Sequence, residues 1–275
     1  MNPGARPVKE WPTMSIVGSE QNSYSFGAPC WVESLQPDPS AAEEFYGALL
    51  GWNFDEANPD GYRVARLGGQ RVAGIGQAPA MLDRGAWATY VLVADVEATV
   101  AAVVAAGGGV LFGPTGGDER TALLADPSGA PFGVRQGRTP LVADLVDVPG
   151  AWQMSSLHSP DPAVAELFYS AVFGWRLEQA PGGIALWRLA GSTRRVDDPT
   201  LPDDVIAVAT AIEPGTPVPP HWAVNVRVAD ADAVAARVSE LGGGLLLPPT
   251  DAPGFRNAVL ADPAGGVLAV SQRVG

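Results

Sequence analysis

The stretch PDPSAAEEFYGALLGW, residues 37–52, returns as PDPAVAELFYSAVFGW, residues 160–175. Ten of the sixteen positions are identical, at a constant offset of 123 residues. A repeat of that length signals a copied structural unit rather than recurring turn chemistry. Its local reading is a helix with both ends marked. Asp38 supplies an N-cap side chain, and Pro39 has the fixed φ that suits the first helical position. Ala42, Phe45, Tyr46 and Leu49 follow at helical spacing and give one apolar face. Gly51 ends it.

Working outward, WVESLQ before the helix reads as a strand. Three short strand-like runs follow it, around WNFDE, YRVARLG and QRVAGIG, punctuated by Gly, Asn, Pro and Asp. The order then restarts. ATYVLVA is a strand, Asp95 caps a helix through VEATVAAVVAA, the glycines at 107–109 end it, and VLFGPT, RTALLAD and PFGVRQ are strands. Residues 93–136 recur as residues 228–272, with Asp126 of one ADPSG turn matching Asp262 of ADPAG. The chain is therefore read as α+β, four βαβββ units in two tandem domains. The boundaries are a flexible arm at 1–27, a first domain at 28–137, a short linker at 138–149 and a second domain at 150–273. Pairing of units within each half is favoured, because the link between halves is the longer one. GGG at 107–109 and 242–244 has no following Lys, so it is read as helix termination and not as a phosphate loop.

The totals narrow the function. The chain has 275 residues, a formal net charge of −13 and a single cysteine, Cys30. Affinity for nucleic acid rests on Lys and Arg neutralising phosphates, so nucleic acid is excluded as a partner, and anionic membranes are disfavoured. No apolar run approaches the roughly 20 residues of a membrane span. The N-terminus lacks a signal-peptide core, and Met14 is an alternative start. One cysteine forms no internal disulfide, so a cytoplasmic location is expected; the sequence leaves the oligomeric state open, a monomer being compatible with it.

The paired βαβββ unit, with FY and GW on the first helix and DP.G before the last strand, resembles the vicinal oxygen chelate superfamily. That group includes glyoxalase I, extradiol dioxygenases, fosfomycin-resistance enzymes and bleomycin-resistance proteins. The resemblance implies two open, curved barrels whose cups hold a ligand or a metal ion. In metal-dependent members the ligands are His, Glu or Gln on the first strand of each unit and Glu on the last. The matching positions here are Trp31, Ala88, Met154 and Ala223, with Gly133 and Ala269 on the last strands. None offers an oxygen or nitrogen ligand, and divalent ions need such donors. The expectation is that no cofactor is bound.

Strand alternation widens the candidate list, since residues two apart share a face. Glu33 shares the face of Trp31, Tyr90 that of Ala88, and Arg135 that of Gly133. Trp152 and His158 share the face of Met154; His221 and Asn225 share that of Ala223. These nine residues, Trp31, Glu33, Tyr90, Arg135, Trp152, Met154, His158, His221 and Asn225, are the candidate ligand-binding set. The aromatics read equally as ligand walls or as core. Glu33 and Arg135 read as a mutual ion pair or as anchors for the polar end of a ligand. His158 and His221 are the chain's two histidines. They read as structural residues or, with Glu213, as an offset site for one divalent ion in the second domain.

The preferred reading is a metal-free protein that holds a hydrophobic or aromatic small molecule in a cup, for sequestration or resistance. One alternative is a metal-dependent lyase, isomerase or dioxygenase using the offset site. Another is an interaction protein with filled cups.

Overall fold

The computed structural model describes residues 16–17, 23–80, 82–180, 184–192 and 202–274. A two-stranded ribbon, β1 (Ile16–Val17) and β2 (Ser23–Tyr24), leads into the first half. That half contains β3 (Pro29–Gln36), α1 (Pro39–Leu50), β4 (Asn53–Phe54), β5 (Arg63–Leu67), β6 (Gln70–Gln77), β7 (Ala86–Leu92), α2 (Val96–Ala105), β8 (Gly109–Thr115), β9 (Arg120–Ala125) and β10 (Pro131–Gln136). The second half repeats the order with β11 (Trp152–Ser159), α3 (Pro162–Phe173), β12 (Arg176–Gln179), β13 (Ala185–Arg188), β14 (Val205–Ala211), β15 (His221–Val228), α4 (Ala231–Glu240), β16 (Gly244–Ala252), β17 (Phe255–Ala261) and β18 (Val267–Arg273).

Each half forms one eight-stranded sheet. The first runs β4-β5-β6-β3-β7-β10-β9-β8 and the second β12-β13-β14-β11-β15-β18-β17-β16. The first strands of two units pair antiparallel at the centre, β3 with β7 and β11 with β15. Each central strand lies parallel to the last strand of its own unit. Helical crossovers between parallel strands make this arrangement possible. The order is linear, so the sheets are open and not closed barrels.

The repeated motif builds the helices as its residues predict. Asp38 accepts from the amides of Ser40 and Ala41, and Asp161 from those of Ala163 and Val164. Such a cap contributes about 1 kcal/mol. Gly51 and Gly174 end the helices at φ of 76° and 75°, where a side chain would be strained.

The same motif also joins the halves. Tyr46 of α1 donates its hydroxyl to Asp262 Oδ2 at 2.7 Å, in the turn before β18. Tyr169 of α3 donates to Asp126 Oδ2 at 3.2 Å, in the equivalent turn before β10. Trp87 and Trp222 each donate an indole N–H to the adjoining tyrosine oxygen at 2.8 Å. Trp52 donates to the carbonyl of Gly150, and Trp175 to that of Gly27, both at 2.6 Å. The helices of one half thus bury their aromatic face against the other half. The middle glycine of each GGG sits at this contact. A Cβ on Gly108 would stand 2.9 Å from the Phe168 ring, and one on Gly243 would stand 3.0 Å from that of Phe45. Helix termination alone does not account for these glycines: a Cβ would also stand 2.6 Å from the carbonyl oxygen of Ala125 or Ala261 in the same half, so close packing within the half as well as across it excludes a side chain.

Residues 23–27, expected in the arm, pack against this core: Tyr24 is buried and donates to the carbonyl of Ala143, and the amide of Gly27 donates to the carbonyl of Leu92. Residues 1–15 and 18–22 of the arm lie outside the described residues. The linker also packs, with Val142, Ala143 and Val146 buried. Among the described residues, no helix is long and apolar enough to cross a membrane.

Candidate functional site

The concave face of the first sheet is set by β3, β7 and β10. Trp31 lies opposite Tyr90, and Tyr90 lies beside Gly133. Alternation then brings Glu33 and Arg135 to the same face, as the sequence predicts. A fifth residue joins them. Tyr62, just ahead of β5, reaches in over Gly74 and Gly76 of β6. A Cβ on Gly74 would lie 1.9 Å from the Tyr62 hydroxyl, and one on Gly133 would lie 2.3 Å from the Tyr90 ring. The glycines are where the aromatic rings lie down on the sheet.

These side chains form a connected floor. Glu33 accepts from Tyr90 at 2.5 Å through Oε1 and from Tyr62 at 2.9 Å through Oε2. The Tyr62 oxygen in turn accepts the Trp31 indole N–H at 2.8 Å. Arg135 Nη2 lies 3.8 Å from Glu33 Oε2, and Nη1 donates to the carbonyl of Leu141 at 2.9 Å. The guanidinium also stacks over Tyr90 and Trp31, at 5.2 and 5.7 Å from the ring centroids. Glu33 and Arg135 are each only 5% exposed. Charges buried to that degree cost several kcal/mol each unless paired and hydrogen-bonded; the two tyrosines satisfy Glu33, and Glu33 offsets the charge of Arg135 while leaving its Nε without a hydrogen-bond partner. Burial, followed by the charge of Glu33, raises the Tyr62 and Tyr90 hydroxyls well above their ordinary pKa. Burial opposes the Arg135 charge, but the fields of Tyr62 and Glu33 outweigh it and push its pKa up.

Above the floor opens a cavity of about 780 Å³. That volume suits a drug-sized ligand. Its walls include Leu35, Val64, Pro79, Phe112, Leu123 and Leu141, and Asp55, Glu56, Asp60 and Glu119 contribute carboxylates. Glu33, Tyr90 and Arg135 line it; Trp31 lies under the floor, fully buried, and does not. Tyr62 and the carboxylates were absent from the sequence-derived set. Two glycines inside the strand QRVAGIG were the available signal for Tyr62, because a strand glycine marks close approach by another group.

The second half carries a different floor. The offsets of 123, 135 and 136 make Met154, Ser156, Asn225 and Ser271 the counterparts of Trp31, Glu33, Tyr90 and Arg135. Met154 and Asn225 face each other in the register. Asn225 donates to Ser271 at 2.7 Å, and Ser271 to Asn257 at 2.5 Å. Trp152 does not join them. The register shifts between Trp152 and Met154, so parity reverses at Gln153 and Trp152 points into the core, opposite Val226. Simple alternation misplaced it because a β-bulge inserts one residue.

His158 and His221 do meet. They are direct cross-strand partners, with rings stacked at 4.6 Å and 5° between planes. His221 Nδ1 is 2.8 Å from the carbonyl oxygen of Pro219. Burial, and secondarily His221, lowers the His158 pKa to about 4. Glu213 is exposed beyond β14 and does not complete a set with them: among the described residues, no three His, Cys, Asp or Glu are grouped to hold a metal ion. The donor chemistry at the six strand positions likewise does not fit a divalent ion, since Trp, Met, Ala and Gly occupy them.

Comparison with known proteins agrees with this architecture. A model of the glyoxalase-like domain matches residues 32–135 and again residues 155–271. The chain is 36% identical over 262 residues to "Putative glyoxylase CFP32" of Mycobacterium tuberculosis, covering 91% of this chain and 97% of that protein. It is 33% identical over 268 residues to "Anthracycline biosynthesis protein DauV" of Streptomyces sp. strain C5, covering 90% and 94%. Among solved structures, the Mn(II)-bound glyoxalase from Novosphingobium aromaticivorans superposes with a TM-score of 0.59 at 18% identity, covering 91% of this chain and 83% of that one. Homoprotocatechuate 2,3-dioxygenase from Arthrobacter globiformis gives 0.58 at 13%, covering 90% and 79%. At those identities the likeness is one of fold.

Proposed function

The chain belongs to the glyoxalase-like domain family, and on that premise we propose that its first half is a metal-independent binding site for a hydrophobic or aromatic small molecule. The observation that carries this reading is the cavity of about 780 Å³ above the Glu33–Tyr62–Tyr90–Arg135 floor. The floor is internally paired, and its position at the foot of the cup is where a chelated ion would otherwise orient a ligand. Apolar walls supply the burial energy, at roughly 25 cal/mol per Å² of ligand surface covered. The relatives named for anthracycline biosynthesis support an aromatic polyketide as the ligand class. Retention of such a molecule serves sequestration or resistance.

The test is a thermal-shift and equilibrium-dialysis screen of anthracyclines and simpler anthraquinones, with and without EDTA. Saturable, stoichiometric binding that EDTA leaves unchanged is the expected result. Binding that EDTA abolishes and a divalent ion restores refutes the reading, as does the absence of binding across the panel.

A further inference from the structure

The cavity is electrically polarised, and its two ends ask for different chemistry. At the floor, Arg135 has unused donor capacity. Nη1 is taken by the Leu141 carbonyl, but Nη2 stands 3.8 Å from its nearest carboxylate oxygen, beyond hydrogen-bond length, and Nε has no hydrogen-bond partner. A buried guanidinium with free donors is a costly arrangement. Glu33 offsets its charge without taking up those N–H groups. The deficit is therefore one of hydrogen-bond acceptors, not of negative charge. A neutral oxygen acceptor, such as a carbonyl, meets it at Nη2.

At the mouth the balance is reversed. Asp55 is bonded to Arg66, and Arg71 to Asp144, so these charges are matched locally. Glu56, Asp60 and Glu119 line the cavity, are exposed, and enter no ion pair among the described residues. Three carboxylates thus face a ligand's outer end with no cation among them. An anionic group there is repelled, and a cationic one is attracted.

Resting on the proposed binding function, we infer that the ligand of the first cup is a flat molecule with a carbonyl-type oxygen directed inward to Arg135 and a positive charge carried outward to Glu56, Asp60 and Glu119. The charge preference follows from Coulomb's law: each exposed carboxylate roughly 8 Å away contributes about twofold in water, so three give on the order of tenfold at low salt. It fades with salt, because the screening length falls below that distance. The acceptor preference is larger per contact. A hydrogen bond to a charged donor in a dry site is worth about tenfold or more.

Three synthetic probes separate these terms: anthraquinone with a propyl-trimethylammonium tail, anthraquinone with a propyl-sulfonate tail, and anthracene with the trimethylammonium tail. Affinities are measured by calorimetry at low and high salt. The cationic quinone is expected to bind about tenfold or more tighter than either other probe, and its advantage over the sulfonate alone is expected to shrink in high salt. The combined variant Glu56→Gln, Asp60→Asn, Glu119→Gln lies at the exposed mouth and is expected to equalise the two tails. The paired variant Glu33→Gln, Arg135→Gln is expected to equalise quinone and anthracene. Should that pair not fold, the quinone C=O stretch in the wild-type complex reads the same contact and is expected to move to lower wavenumber. Tighter sulfonate binding, equal binding of quinone and anthracene, or an unmoved C=O stretch overturns the inference while leaving the binding function standing. Failure of all three probes overturns both.

Discussion

Tyr46→Phe removes one oxygen atom and tests the junction between the halves. The Tyr46 hydroxyl is fully buried, donates to Asp262 Oδ2 at 2.7 Å and accepts the Trp87 indole N–H at 2.8 Å. Losing a hydrogen bond to a carboxylate costs about 1.5–3 kcal/mol. The Trp87 N–H, 7% exposed as a residue, then stands in an apolar site without its acceptor, which adds about 1 kcal/mol or more. Asp262 keeps Gln36 Nε2 at 2.6 Å and the amides of Ala264 and Gly266, so it is not stranded. The expected loss is about 2–4 kcal/mol. Trp87→Phe removes the second donor, and in the Tyr46→Phe background it has no hydrogen bond left to break. The double variant is therefore expected to cost about 1 kcal/mol less than the sum of the two singles. Urea unfolding followed by tryptophan fluorescence and by near-UV circular dichroism measures all four corners of the cycle. A Tyr46→Phe loss below about 0.5 kcal/mol, or a strictly additive cycle, refutes the clasp as a source of stability.

Further outcomes follow from the same geometry. Gly74→Ala forces its methyl into the Tyr62 hydroxyl and is expected to cost about 1–3 kcal/mol and to weaken ligand binding, whereas Gly109→Ala, which meets nothing within 4 Å, is expected to stay within about 0.5 kcal/mol in urea titrations. Tyr46, Tyr62, Tyr90 and Tyr169 all have raised pKa values, chiefly through burial. Their protonated forms favour the folded state, so this stability is present below about pH 10 and is lost as pH rises further; absorbance at 295 nm is expected to show the phenolates of these four only as the protein unfolds. The His158 pKa is depressed to about 4 from an ordinary 6.5, so its contribution is present above about pH 6.5 and is lost as pH falls toward 4. The drop in urea midpoint between pH 7 and pH 5 is expected to be smaller in His158→Gln. A fragment spanning residues 28–137 is expected to aggregate or to bind a hydrophobic dye, because the apolar faces of α1 and α2 lose their cover.

Most of the fold is legible in the sequence because it rests on local signals. Asp38, Pro39 and Gly51 mark a helix without help from distant residues, and the repeat doubles each such mark. What the sequence hides is non-local. Tyr46 and Asp262 are 216 residues apart, and neither looks more than a packing residue or a turn residue on its own. At the site, alternation recovers Glu33, Tyr90 and Arg135 because β3, β7 and β10 are regular there. It fails at Trp152 because one extra residue reverses every side chain before it. It also misses Tyr62, which enters from a strand start whose register with β6 no period reveals. The two histidines are correctly drawn together because their strands pair in register, but the loop after β14 carries Glu213 outward, and loop direction leaves no periodic trace.

The duplication separates two kinds of constraint inside one chain. The clasp residues are the same in both copies: Tyr46 and Tyr169, Trp52 and Trp175, Trp87 and Trp222, Asp126 and Asp262. Each is bonded across the junction or to a residue that is, so a change in either copy costs the clasp a buried hydrogen bond. The floor residues differ at every matched position: Trp31 against Met154, Glu33 against Ser156, Tyr90 against Asn225, Arg135 against Ser271. Their bonds close within a single cup, through Tyr62 in the first and Asn257 in the second, so either floor can change as a set without loosening the junction. A buried charged network such as Glu33–Arg135 costs desolvation that packing alone does not require, since the second half folds around neutral Ser156 and Ser271 at the same places. The charged floor is therefore not a requirement of the sheet, which accords with the binding site proposed for the first cup.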